Sequence, residues 1–240
     1  MVKILALIPA RGGSKGIPRK NIKDLCGKPL IAYSIKQALA SKWNNRVIVS
    51  TDDAEIADIA KKYGAEIPFM RPAEYAQDLS PDIDVFRHAL KWVKANEGYI
   101  PDIVLHFRPT CPIRNVETID RAIELFVNTP EADSLRSVRT PIQTPYKMWK
   151  IADGFMKPLL ELPGVVEPYN LPRQSLPEVY CQTPYLDIVR AGVILNEGKM
   201  NGNKILPFII EEEWVDIDYP EDFKVAEGLL KKKGMLKDYA

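Results

Sequence analysis

The chain has 240 residues, 46% of them hydrophobic, which is enough to bury one substantial core and short for two independent ones. Its 33 Lys and Arg balance 32 Asp and Glu, so a net charge of +1 supplies no global field toward nucleic acid or an anionic membrane, and any bound anion must be held by a local cluster. The three cysteines, Cys26, Cys111 and Cys181, are odd in number and far apart, which is neither a disulfide framework nor a CxxC metal pattern and points to a reducing compartment.

From the N-terminus, residues 3–9 form a continuous apolar run that predicts a strand buried on both faces. The run is too short for a membrane span and lacks a cleavage pattern, so a single cytoplasmic domain over 1–240 is expected. A glycine-rich basic loop, 10–21, follows. Pro29 fits a first helical turn, and Leu30, Ile31, Ile35, Ala38 and Leu39 recur at helical spacing up to Ser41. Residues 46–50 predict a second strand. Asp52 or Asp53 can cap a helix over 54–63, which Gly64 ends in the left-handed conformation. A short strand near Ile67 comes next, and then Ser80 and Pro81 read as cap and first residue of a helix running through Val85, Leu90 and Val93. Residues 102–107 predict a strand, Asn115 caps a helix over 116–128, and 134–138 predict another strand.

Eight of the 20 prolines then lie between Pro141 and Pro184, too dense for regular central strands or long helices. Regular structure returns at 205–210 and in a last helix over 220–233. Its acidic start, Glu221 and Asp222, and its basic end, Lys231 to Lys233, suit the helix dipole, and the basic end reads as a solvated helix terminus. Strands alternating with helices over short loops predict an α/β fold with helices on both faces of a mostly parallel sheet.

The loop after the first strand concentrates chemistry. Arg11, Lys15, Arg19 and Lys20 stand among Gly12, Gly13, Ser14 and Gly16, directly after a buried strand. Ligands of open α/β sheets bind beyond the carboxyl ends of strands, and glycines let backbone N–H groups close on phosphate oxygens, so the loop reads as a polyphosphate cradle. The spacing is neither G-x-x-x-x-G-K-[ST] nor G-x-G-x-x-G. Gly12, Ser14 and Gly16 match G-x-S-x-G, the nucleophile elbow of serine hydrolases, but here the motif runs into Pro-Arg-Lys instead of an apolar helix. His88 and His106 fall on an apparent helix and strand, and structural or merely polar roles are expected for both.

Five blocks resemble the acylneuraminate cytidylyltransferase family, the CMP-sialic acid synthetases and their relatives: 8–21 (IPARGGSKGIPRKN), 71–78 (RPAEYAQD), 108–114 (RPTCPIR), 173–180 (RQSLPEVY) and 215–223 (VDIDYPEDF). The resemblance implies a three-layer Rossmann-like nucleotidyltransferase fold with a mostly parallel mixed sheet and a Pro-rich dimerisation arm over 141–185. It implies CTP and a sugar acid as substrates, and a homodimer. Arg11, Lys15 and Lys20 would hold the triphosphate within the Gly12–Gly13–Ser14 loop. Asn21, Arg71, Ser80 and Asp82 would meet the cytosine and ribose, although Arg71 read in isolation is an ordinary surface residue. Arg108, Thr110, Gln174 and Tyr180 fall on the acceptor side, with Lys147 and Arg173 as cations near the phosphates or the acceptor's carboxylate. Choice of CTP rests on the resemblance alone.

Asp216 and Asp218 are two residues apart, so on a strand both carboxylates project from one face. Such hard oxygens suit Mg2+ that keeps waters and also ligates phosphates, though Asp218 before Pro220 could instead cap the last helix. The expected catalytic set is Arg11, Lys20, Asp216 and Asp218, acting by alignment and charge neutralisation without a protein nucleophile. Two departures bear on the acceptor. Arg108 stands where relatives commonly carry glutamine, which offers a charged fork for a carboxylate or a further acidic group. Thr183 and Pro184 replace an Asn-Gly pair. The acceptor is therefore left open among neuraminic, legionaminic, pseudaminic and other 3-deoxy-2-keto sugar acids. The alternatives are a nucleotidyltransferase with a different base or acceptor, a serine hydrolase acting through Ser14, and a non-catalytic nucleotide-binding module.

Overall fold

The computed structural model describes residues 2–43 and 46–234, which fall into two compact units. One comprises the described residues up to Ser137 and from Pro184 onward, and the other is Val138–Thr183. In chain order the first unit opens with β1 (Ile4–Pro9), then a two-residue ladder between β2 (Asp24–Leu25) and β3 (Lys28–Pro29), α1 (Leu30–Ala40), β4 (Arg46–Ser50) and α2 (Ala54–Lys62). It continues with α3 (Asp82–Glu97), β5 (Ile103–His106), α4 (Val116–Val127) and β6 (Ser134–Arg139).

The alternation of β1 explains the layering. Ile4, Ala6 and Ile8 enter a core with residues of α1, α2 and α4, while Leu5 and Leu7 enter a second core with Val85, Phe86, Ala89, Leu90 and Val93 of α3. A strand with side chains alternating to two apolar cores must be hydrophobic throughout, which is why residues 3–9 show no polar alternation. β1 is parallel to both neighbours, β4 and β5. The short strand read near Ile67 is a single parallel bridge between Glu66 and Ile48. Asp53, not Asp52, caps α2 through Ile56 N–H at 3.0 Å, and Asn115 caps α4 through Glu117 N–H at 2.9 Å. α3 starts one residue later than Ser80 and Pro81 suggest: Pro81 occupies the cap position, and the Ser80 hydroxyl is spent on Gln77 N–H and Glu74 O.

In the second unit β7 (Trp149–Ala152) and β8 (Phe155–Pro158) form a hairpin. Asp153 and Gly154 both take positive φ, 55° and 79°, as a two-residue turn matched to the strand twist requires. Otherwise the unit holds short 3-10 turns at Pro145–Lys147, Pro168–Asn170 and Arg173–Ser175, with Trp149 packed on Tyr169 at 4.5 Å between ring centres.

β9 (Cys181–Arg190) is the element the proline density hid, a ten-residue strand in the middle of the sheet. It runs antiparallel to β5 over Asp187–Arg190, so the missing N–H of Pro184 falls outside that ladder. After β9 come a π-helical turn at Val193–Glu197, β10 (Ile205–Ile209) and α5 (Pro220–Lys232). The sheet order is β10-β6-β9-β5-β1-β4. Among the described residues no helix is long and apolar enough to cross a membrane.

Candidate active site

The carboxyl ends of β1 and β5 open into a cavity of about 460 Å³ within the first unit. Of the residues singled out from sequence, Arg11, Ser14, Lys15, Lys20, Asn21, Arg71, Ser80, Asp82, Arg108 and Thr110 all line it. The loop after β1 is shaped by close approaches. Gly12 N–H donates to Asp52 at 3.0 Å, and a Cβ on Gly12 would stand 2.8 Å from the Asp53 carboxylate, so only glycine fits there.

The four loop cations go three ways. Arg19 turns away, taking φ 58° and pairing with Asp53 and Glu55, where it holds the Asp53 carboxyl below the usual range. Arg11 and Lys15 meet at Asp78: Arg11 Nη1 lies 3.3 Å from its carboxylate and donates to Gln77 O at 2.7 Å, and Lys15 pairs with the other oxygen. Both cations hold down the Asp78 carboxyl, Lys15 the more. Lys20 reaches across to the far end of the sequence, donating to Ile217 O at 2.8 Å and lying 3.5 Å from Asp218. Asn21 is buried and donates to Arg11 O at 2.9 Å, so its visible work is to fix the loop.

Arg71 is not the surface residue it resembles in isolation. It is 5% exposed, donating to the Ser50 hydroxyl at 3.0 Å and to Ser50 O at the end of β4. Burial lowers its guanidinium to about 10, against the opposing pull of Asp52 and Asp82.

The acidic pair stands in a segment that carries no ladder, but burial alternates along it as on a strand. Val215 and Ile217 are buried, and Ile217 N–H bonds Thr110 O at 2.8 Å, which leaves the intervening Asp216 and Asp218 on the other side. Helix capping does not consume Asp218. Asp222 accepts from the N–H groups of both Asp218 and Tyr219, at 2.9 and 2.8 Å. Asp216 Oδ1 is buried with no hydrogen-bond partner among the described residues. Burial raises the Asp216 carboxyl above its ordinary range and Asp218 adds to that, while the Thr110 hydroxyl and Lys20 oppose it.

The loop after β5 shows what the sequence missed. Arg108 donates to Asp187 of β9 at 2.7 Å, and Arg136 shares the same buried carboxylate at 3.1 Å. One arm of the Arg108 fork is thus already occupied. Arg114 is fully buried, bonded to Tyr185 O, Cys111 O, Arg108 O, Ser34 and Gln37. Asp78 closes a block that the sequence had marked without a role for it, whereas Asp187 lay hidden in the unforeseen strand. Lys147, Arg173, Gln174 and Tyr180 belong to the second unit. There Arg173 and Gln174 line a cavity of about 380 Å³, with Arg173 donating to Ile142 O at 3.1 Å and to Pro141 O, and Tyr180 donates to Glu178 at 2.7 Å.

Residues 5–150 match the cytidylyltransferase family model. The chain is 33% identical over 244 residues to the post-translational flagellin modification protein B of Campylobacter coli, covering all of both chains. It is 34% identical over 239 residues to the CMP-N,N'-diacetyllegionaminic acid synthase of Legionella pneumophila, covering 96% of this chain and 97% of that one. This chain belongs to the acylneuraminate cytidylyltransferase family. It is an enzyme of nucleotidyl transfer, and the readings as a serine hydrolase or a non-catalytic module fall with that assignment. The fold matches that of CMP:2-keto-3-deoxy-manno-octonic acid synthetase complexed with CTP, at TM-score 0.70 and 16% identity, covering 96% of this chain and 99% of that one. Within this cytidylyltransferase the cavity is lined by cations of the loop after β1, while Asp216 and Asp218 are not among its lining residues and adjoin it through Lys20, which lines the cavity and lies 3.5 Å from Asp218.

Proposed function

We propose that this cytidylyltransferase transfers CMP from CTP to a hydroxyl of a sialic-type 3-deoxy-2-keto sugar acid and releases pyrophosphate. The observation that carries the reading is Lys20, whose ammonium ties the basic loop to the Asp216–Asp218 segment, so that cations and carboxylates serve one site. The acceptor oxygen forms a bond to the α-phosphorus as the bond to pyrophosphate breaks, and no protein nucleophile is required. Arg11 and Lys15 take the phosphate oxygens in exchange for Asp78. Lys20 neutralises charge that builds up during transfer.

Asp216 and Asp218 would hold Mg2+. The orphaned, buried oxygen of Asp216 and the hard donor set fit that ion. Two carboxylates alone do not complete a coordination shell, so water and phosphate oxygens would supply the other ligands. When bound, the ion would offset negative charge on the phosphates. Nucleotide contacts are assigned to Asn21, Arg71, Ser80 and Asp82, and acceptor contacts to Arg108, Lys147, Arg173, Gln174 and Tyr180. Thr110, expected beside the acceptor, serves Asp216 through its hydroxyl and Ile217 through its carbonyl.

The chain works as a homodimer in this reading, because the second unit exposes Ile142, Ile151, Phe155, Met156 and Val166 at 61–88%, more apolar surface than so small a unit leaves to water. Three free thiols suit a cytoplasmic setting. Pyrophosphate release, measured with CTP, UTP, GTP and ATP against a panel of sugar acids with Mg2+, tests the reading. CTP with one of the nonulosonic acids should turn over. Release with another nucleotide, or with none of the acceptors, would refute it.

A further inference from the structure

His106 lines the cavity and has no part in the reading above. It closes β5, opposite Leu7 of β1 and Asp187 of β9, and is 1% exposed. Phe86 of α3 packs against the imidazole at 4.7 Å between ring centres, so both the backbone and the ring are fixed. Its Nδ1 is nevertheless buried without a hydrogen-bond partner among the described residues. The Asp82 carboxylate, at the first residue of α3 and also lining the cavity, stands 4.0 Å from that nitrogen, beyond hydrogen-bond range. Burial, helped by Arg108, Arg114 and Arg136, keeps the imidazole neutral, so the two groups do not form an ion pair. A buried ring nitrogen without a partner is costly, so a group that enters the cavity and meets it gains a hydrogen bond the protein alone does not make.

A single oxygen about 2.8 Å from both atoms fits a gap of this width, with the two bonds meeting near a right angle. The neighbouring carboxylate favours the tautomer with the proton on Nδ1. The bridging atom must then accept from the imidazole and donate to the carboxylate. A hydroxyl does both. A phosphate or carboxylate oxygen has no proton to give Asp82 and would be repelled by it. We propose that His106 and Asp82 form a clamp for one sugar hydroxyl, the imidazole N–H donating to it and the carboxylate accepting from it. This rests on the sugar-nucleotide reading of the same cavity. Both substrates carry ring hydroxyls, so the ligand is either the ribose of the nucleotide or the acceptor sugar.

Two measurements separate these sources: calorimetric binding of CTP, 2′-deoxyCTP and 3′-deoxyCTP without acceptor, and the KM for the acceptor at saturating CTP. Both are made on the wild type, His106→Leu, Asp82→Asn and the double variant, each checked for an unchanged melting transition. Each single variant should weaken one substrate about tenfold and leave the other within about twofold, and the double variant should lose no more than the worse single one. If ribose is held, the deoxynucleotide lacking the clamped hydroxyl should bind wild type and variants alike. His106→Gln, which keeps a donor, should recover part of the loss. The clamp is overturned if both substrates are unaffected, if both weaken equally, or if the two substitutions act additively. A wild type that neither binds CTP nor releases pyrophosphate would instead refute the functional reading, and the clamp with it.

Discussion

Arg11 and Arg114 follow the neighbouring parallel strands β1 and β5 at the same end of the sheet, each in a loop that carries more than one cation. Arg11 stays about a third exposed, at 31%, and its partners are one carboxylate and one loop carbonyl. Arg114 is 1% exposed and is bound on every side by carbonyls, Ser34 and Gln37. A guanidinium with exchangeable partners at a cavity can trade them for phosphate, whereas one whose donors are consumed by buried carbonyls is scaffold. Position in the fold brings a charge to the site, and only burial and pairing say whether it works there.

Replacement breaks this contrast most sharply at Arg114. Arg114→Met should cost about 3–5 kcal/mol of stability, because several buried carbonyls lose their donor at once, and thermal unfolding reads it. If the melting point holds while CTP binding fails, Arg114 belongs with Arg11 and the distinction is wrong. On the other side of the comparison, Lys20→Ala or Asp216→Asn should reduce turnover about 10²- to 10³-fold with an unchanged melting point, measured as pyrophosphate release.

Asp78→Asn sharpens the idea of exchangeable partners, since removing the carboxylate that competes with the triphosphate should lower the KM for CTP about threefold. A higher KM would make Asp78 a helper of the bound state. The smallest effect concerns pH. Because the folded pKa of Asp216 is raised, the native state without metal holds an extra proton between the ordinary carboxylate value, about 3.9, and the raised one. Its contribution to stability is therefore present at low pH and lost as pH rises through that window, and Mg2+ should offset the loss by favouring the ionised form. The difference in melting point between wild type and Asp216→Asn, followed across acidic pH with and without Mg2+, displays both signs.

Much of this could be read in the sequence because it was local. The apolar run before Arg11, the caps at Asp53 and Asn115, and the two-residue spacing of Asp216 and Asp218 each carry their reason within a few residues. What escaped depended on distant partners. Pro184 argued against a strand until β5 was seen to pair only from Asp187 onward. Arg71 read as surface because nothing nearby shows that Ser50, 21 residues earlier, receives it. Arg108 read as a free fork because Asp187, 79 residues later, could not be foreseen as its partner.

The central claim is that the basic loop and the acidic pair hold one metal–nucleotide complex, and CTP titrated calorimetrically with and without Mg2+ tests it most directly. Tight binding should require Mg2+ in the wild type and become independent of it, and weak, in Asp216→Asn/Asp218→Asn. CTP that binds the wild type equally well without the metal, and binds the double variant unchanged, would contradict the account.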